Sequence, residues 1–287
     1  MKKIGWTILL ATALSYIPVV GAQEQASEEP FKTADWRKDF SVSIGTKLWF
    51  NEWTTWDTPD ITNVTGQRVI TSHDSGDFKE FTPIPVFSIK YQDLFVSASY
   101  FSHTNYNFPT LNSDVERLEW DVTAGYYVLP PYLALTVGFK RIEQQFSSLD
   151  FDIDGPTVGF AGAVPMKWGF SLYSSFAYGF MKNESDFFEI RTRGLLDVPG
   201  SGDDDRDSQY WLVETGIAYT HNLQNLPVNL LLSSATVYAG YRHQHIETDD
   251  VGICSSSNAN ICLPGGNTAD DGLDITRGMV IGVNLSF

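Results

Sequence analysis

The chain has 287 residues, with 35 Asp+Glu against 19 Lys+Arg and 2 Cys, for a formal net charge of −16. That acidity excludes nucleic-acid binding, which needs a basic surface to neutralise phosphates. At 43% hydrophobic and 14% aromatic, the chain is not an acidic disordered segment either. Two cysteines are too few for a disulfide scaffold, and their spacing does not suit a zinc site with four protein ligands.

Lys2 and Lys3 precede an apolar stretch from Ile4 to Val20, and Val20-Gly21-Ala22 closes it with small residues at the −3 and −1 positions. This order predicts a secretory signal peptide over residues 1–22, cleaved after Ala22. The apolar stretch is short for a membrane-spanning helix of about 20 residues. Cleavage takes away two lysines and no acid, so the mature net charge is −18. Export also places the two cysteines in an oxidising compartment. Residues 23–38 read as a short polar lead-in, and 39–287 as a single domain.

Two later uncharged stretches, 122–139 and 223–241, contain Pro130-Pro131 and Pro227 respectively. Proline removes a helix donor and clashes with the preceding turn, so both stretches read as strand–turn–strand. Period-2 alternation is the dominant signal throughout. In the first segment Phe40, Val42, Ile44, Leu48 and Phe50 share one face, and Ser43, Gly45, Lys47, Trp49 and Asn51 share the other. Ten such segments are predicted, at 40–52, 82–91, 94–103, 115–128, 132–145, 156–164, 168–181, 209–220, 229–243 and 274–287. In the ninth the apolar parity shifts near Ser233-Ser234, which predicts a bulge or a displaced boundary there. Most segments exceed the five or six residues usual in soluble sheets and suit tilted membrane strands of about 9–11 residues.

The connections alternate in length. Short ones fall at 92–93, 129–131, 165–167 and 222–227. Long polar ones fall at 53–81, 104–114, 146–155, 182–208 and 244–273. An even strand number, with short turns at one end and long loops at the other, predicts an all-β, transmembrane antiparallel up-and-down barrel. The five long loops hold 22 acidic and 6 basic residues, so the negative charge gathers at one end of a nearly neutral barrel.

The last strand closes on Phe287, with Leu285, Val283 and Ile281 at alternate positions before it. This resembles the C-terminal signature of bacterial outer-membrane β-barrel proteins, whose terminal aromatic residue is read by the barrel assembly machinery. At the level of architecture the resemblance covers the whole mature chain. It implies a Gram-negative outer-membrane location with both termini periplasmic. Its implied partners are outer-membrane lipid, lipopolysaccharide and, through Phe287, the assembly machinery.

With the apolar parity facing lipid, Tyr100, Trp120, Tyr126, Tyr178, Trp211 and Tyr219 are expected in aromatic girdles. The opposite parity collects Lys47, Lys90, Glu119, Asp121, Lys140, Glu214 and Arg242 as lumen-facing residues. Two readings follow: a plug of ion pairs, or a narrow path for a small polar solute. Asp150, Asp152 and Asp154 begin like an EF-hand loop, but Ala161 stands where a bidentate Glu is required. The trio is left as a candidate surface site for Ca²⁺ or Mg²⁺ at a hairpin tip, or as a solvated acidic turn; no other cofactor is implied. His243 and His245 share a face near Glu247, which suits metal binding, acid–base work or plain polar surface. Cys254 and Cys262 are expected to form a disulfide within the last loop, worth roughly 2–3 kcal/mol in the chain-entropy model. Trp49, Trp53 and Trp56 are expected in the interfacial belt at the base of the first loop, the alternative being a platform that stacks sugars or caps the lumen.

Omptin proteases are similar in size and strand number and use Asp and His residues near the extracellular rim. No omptin motif is present, so none of their residues is carried over. The primary expectation is a non-enzymatic barrel for small-solute binding or passage, or for surface recognition through acidic loops. The alternative is a rim hydrolase, either an omptin-like protease or a lipid hydrolase.

Overall fold

The computed structural model describes residues 40–55, 74–75, 82–108, 113–146, 149–185, 205–223, 232–248 and 272–287. Among the described residues there are eleven strands: β1 (Phe40–Thr55), β2 (Asp74–Ser75), β3 (Thr82–Tyr91), β4 (Leu94–Phe108), β5 (Ser113–Leu129), β6 (Leu133–Phe146), β7 (Leu149–Pro165), β8 (Phe170–Ser185), β9 (Asp205–Asn222), β10 (Ser234–Thr248) and β11 (Gly272–Ser286). The two residues of β2 pair only with the far end of β1. The other ten form one antiparallel sheet in chain order, closed by pairing of β11 with β1. At the seam the backbones of Val42 and Phe287 exchange two hydrogen bonds. Closure gives each of these ten strands a partner on both sides, which is the condition for β structure within lipid.

Alternation decides which side chains meet lipid. Ile44, Phe87, Val96, Val122, Val137, Val158, Leu172, Ile217, Val237 and Ile281, one from each barrel strand, are between 43 and 60% exposed. A belt of large apolar side chains around the whole circumference has no place in water and is the surface that hydrocarbon covers. The chain is therefore a membrane-spanning barrel of the outer-membrane type. Tyr100, Trp120, Tyr126, Tyr178, Trp211 and Tyr219 all lie on this outward parity.

The strands run further at the long-loop end than the apolar alternation indicated. The connections expected at 104–114 and 146–155 shrink, because β4 reaches Phe108, β5 starts at Ser113 and β7 starts at Leu149. Above the lipid belt the outward face turns polar while the inward face packs apolar side chains such as Tyr106, Val115, Phe151 and Ile153, so pairing continues and the alternation inverts. Register shifts fall in β4, between Phe101 and Thr104, and in β5, between Tyr127 and Leu129. Near Ser233-Ser234 the parity shift marks the start of β10 at Ser234.

Inside, bulky rings at the short-turn end sit over glycines. Phe95 lies against Gly125 and Tyr238 against Gly282, in each case where a Cβ would collide with the ring. The rings can occupy the lumen only because the facing wall has no side chain there.

Candidate functional site

Along each strand the inward residues follow one order from the short-turn end. On β5 they run Tyr127, Gly125, Thr123, Asp121, Glu119, Arg117, Val115; on β9 they run Ala218, Gly216, Glu214, Leu212, Tyr210. Small residues and rings come first, charges follow, and apolar side chains come last. An ionic layer thus crosses the middle of the lumen. On the short-turn side it is bounded by Phe95, Tyr127, Ala134 and Ala161 and by Tyr173 with Ala218. On the long-loop side one cluster contains Trp49, Trp53, Phe101 and Tyr106, and a second contains Ile142, Met181, Tyr210 and Ile246.

The buried charged residues are Lys47, Arg117, Lys140 and Arg242 on one side of the balance and Glu119, Asp121, Glu214 and Asp274 on the other. Four cations face four anions, and the layer is neutral. Glu119 accepts from Lys140 Nζ at 2.7 Å and from Arg117 Nε at 2.8 Å. Asp274 accepts from Arg117 Nη1 at 3.0 Å, Trp53 Nε1 at 2.8 Å and Gln144 Nε2 at 2.7 Å. Lys47 Nζ donates to Glu214 at 2.8 Å, and Arg242 Nη1 stands 3.5 Å from the same oxygen. Ser99 donates to Asp121 at 2.7 Å. The Arg242 and Arg117 guanidinium groups lie over the rings of Trp49 and Trp53, at 4.7 and 4.8 Å from their centroids, so the cations are held by aromatic faces as well as carboxylates.

Two of these contacts span the barrel. In the closed order β6 lies opposite β11, and β5 lies opposite β10. Gln144 on β6 bonds Asp274 on β11, and Gln244 on β10 bonds Glu119 on β5 at 3.1 Å. Side chains from facing walls meet directly in the centre. Hydrogen bonds to charged groups are individually worth about 1.5–3 kcal/mol, and here they join facing walls.

The inward residues expected from sequence divide in two. Lys47, Glu119, Asp121, Lys140, Glu214 and Arg242 are buried in the ionic layer. Lys90 lies apart, half-buried near the short-turn mouth, with Nζ 5.1 Å from the centre of the Tyr127 ring. Sequence reasoning missed Arg117, Gln144, Gln244 and Asp274. Each has the inward parity of its strand, and parity extended beyond the apolar core was the signal that would have found them. The interfacial-belt reading of the tryptophans is corrected: Trp49 and Trp53 are fully buried inside the barrel. Their parity matches Lys47 and Asn51, and their rings find the arginines. Trp56 lies outside the described residues.

Asp150, Asp152 and Asp154 are not at a hairpin tip but within β7, on its outward face. Asp152 is bonded by Arg141 Nη2 at 3.0 Å, and Arg141 also meets Glu143 at 2.7 Å. Register sets Lys182 opposite Asp154. Neighbouring cations thus take up part of the charge a metal ion would answer. Among the described residues no group of three or more His, Cys, Asp or Glu is arranged to hold a metal ion. His243 and His245 also face outward, away from the lumen, and both imidazoles stack on the Trp211 indole at 4.8 and 4.9 Å. Cys254 and Cys262, the signal segment and most of the acidic loop residues lie outside the described residues.

No known protein family matches the chain, and no curated protein matches it. Solved structures similar to it include the neisserial surface protein A NspA, at 12% identity and a TM-score of 0.35 over 87% of this chain and 97% of that one. The outer membrane protease OmpT from Escherichia coli gives 11% identity and a TM-score of 0.42 over 86% of this chain and 95% of that one. The translocator domain of the autotransporter NalP from Neisseria meningitidis gives 10% and 0.37 over 86% of this chain and 88% of that one. Likeness at that level brings no residue role to this chain; closure and the outward apolar belt carry the fold assignment.

Proposed function

We propose that the protein is a non-conducting outer-membrane barrel that holds acidic loops at the cell surface for recognition. The observation that carries this reading is the pair of cross-lumen hydrogen bonds, Gln144 to Asp274 and Gln244 to Glu119. A solute path would have to break them along with the ion pairs they join. Separating one buried pair costs about 3–5 kcal/mol, so a spontaneously open lumen is a rare state. The wall is a rigid support, and the variable chemistry belongs to the long-loop end, where 22 acidic residues face 6 basic ones over the sequence-defined loops. Such an end favours cationic partners, and it approaches anionic lipopolysaccharide only with Mg²⁺ or Ca²⁺ between them.

Planar-bilayer recording tests the closed lumen: the purified barrel is expected to insert without unitary current steps. Regular ohmic steps from the unmodified chain would overturn the reading in favour of solute passage. Nothing among the described residues favours the hydrolase reading, because His243 and His245 are turned away from the lumen and toward Trp211.

A further inference from the structure

The outward stack on β9 and β10 lies directly above the lipid belt. On β10 His243 follows Tyr241, which is 43% exposed, and on β11 Arg277 follows Met279, which is 53% exposed. An aromatic and basic level just beyond an apolar belt is where a barrel meets lipid headgroups. Register places His243 opposite Arg277, which sets two nitrogen bases about 4.5–5.5 Å apart at their Cβ atoms. His245 adds a third, two residues along the same face. Trp211 lies nearly parallel to both imidazoles, with interplanar angles of 13° and 17°.

Among the described residues the charged groups around the imidazoles are few. Arg277 Nε stands 3.5 Å from Glu52 on β1, and His245 Nε2 stands 3.9 Å from Glu247. Asp274 lies behind the wall, already bonded to three donors. With both imidazoles neutral, one cation faces the two outward carboxylates and the patch is net negative. With both protonated it holds three cations and is net positive. Like charges at directly opposed strand positions repel, so the protonated arrangement calls for an anion between His243 and Arg277. At this height the available anion is a lipid phosphate.

We propose that the face formed by Trp211, His243, His245 and Arg277 binds the phosphate group of an outer-leaflet lipid, and that binding is coupled to proton uptake by the two histidines. The proposal depends on the seat of the barrel in a membrane and not on the plug. An imidazole takes up a proton more readily beside a phosphate anion than without one, so affinity rises as pH falls. Each proton taken up on binding gives about a tenfold gain in affinity per pH unit, between the titration ranges of the lipid-free and lipid-bound states.

The test uses the full refolded chain in a neutral glycoside detergent, with dodecyl phosphate added as the probe and inorganic phosphate as the comparison. Imidazole proton signals of His243 and His245 are followed by NMR and assigned by single substitutions. Dodecyl phosphate is expected to shift both signals, with affinity at least fivefold higher at pH 7 than at pH 8. Arg277→Gln should weaken binding tenfold or more, and the double variant His243→Gln/His245→Gln should abolish the pH dependence. The Gln variants replace outward side chains, and their heat-modifiable gel mobility reports whether the barrel has folded. Affinity that is independent of pH, or unchanged in both variants, overturns the proposal. Equal shifts with inorganic phosphate at matched concentration also overturn it, because the site would then be a free-anion site.

Discussion

Replacing Glu119 with alanine is the sharpest perturbation of the plug. The carboxylate accepts from Lys140, Arg117 and Gln244, at 2.7, 2.8 and 3.1 Å. Arg117 keeps Asp274 at 3.0 Å, but Lys140 is left beside a methyl group in a layer whose charge moves from zero to +1. Removing one partner of a buried pair costs about 3–5 kcal/mol, most of it from the uncompensated charge. Adding Lys140→Met restores neutrality with a side chain of similar length. Apolar replacements of buried pairs are often neutral or stabilising, so the double variant should lie within about 1–2 kcal/mol of the parent. The coupling between the two sites is then about 2 kcal/mol or more, near the upper part of the usual range. Equilibrium urea titration in lipid vesicles, read by the heat-modifiable shift in gel mobility, measures all four corners of the cycle. A cost below about 1 kcal/mol for Glu119→Ala, or a second substitution that deepens the loss, would refute the claim that charge balance holds the layer together.

Two further outcomes follow from the wall and the last loop. Val137, 60% exposed on the outward face of β6, replaced by lysine should cost about 2–4 kcal/mol in the same assay; lysine at Gln145, outward on β6 but eight residues nearer the long-loop end, should cost close to nothing. Cys254 and Cys262 are expected to resist maleimide labelling until a reductant is added, and mass spectrometry should then find two labelled sites; labelling without reduction would rule out the bridge.

Much of the barrel was legible because lipid and lumen make opposite demands on successive residues. Lys47, Glu119, Lys140, Glu214 and Arg242 stood out as charges on the parity that avoids lipid. Which of them would meet was not legible. Lys47 and Glu214 are 167 residues apart, and Gln144 and Asp274 are 130 apart. Their contact depends on strand tilt and barrel diameter, which no local pattern encodes. Arg117 and Asp274 were missed for a different reason. Both lie inside the predicted segments 115–128 and 274–287 and on the inward parity, but beyond the stretch where outward apolar residues mark the lipid face, and the parity was not carried to them. Asp150, Asp152 and Asp154 looked like a turn because above the lipid belt the pattern inverts: the aspartates face outward and Phe151 and Ile153 face the lumen. Trp53 shows the limit of residue-type expectation: tryptophan suggested the interface, while parity placed it inside, donating to Asp274 at 2.8 Å.

The two populations of charge should answer differently to salt, and this separates their roles. Among the described residues eight charged ones are buried in the plug in equal numbers of each sign, and on the sealed-lumen reading water and ions do not reach them. The acidic excess is gathered in and around the long loops, where like charges repel through solvent. Raising ionic strength from 0.01 M to 1 M shortens the screening length from about 30 Å to about 3 Å. Loop repulsion is then largely removed, while buried pairs are screened little. The parent barrel should therefore unfold at the same or a higher urea concentration in 1 M salt than in 0.01 M. The penalty of Glu119→Ala, taken as the difference from the parent, should stay the same within about 0.5 kcal/mol, the usual tolerance for independent sites. A penalty that shrinks markedly with salt would mean that ions reach Glu119, and the layer would then be a wet passage instead of a seal.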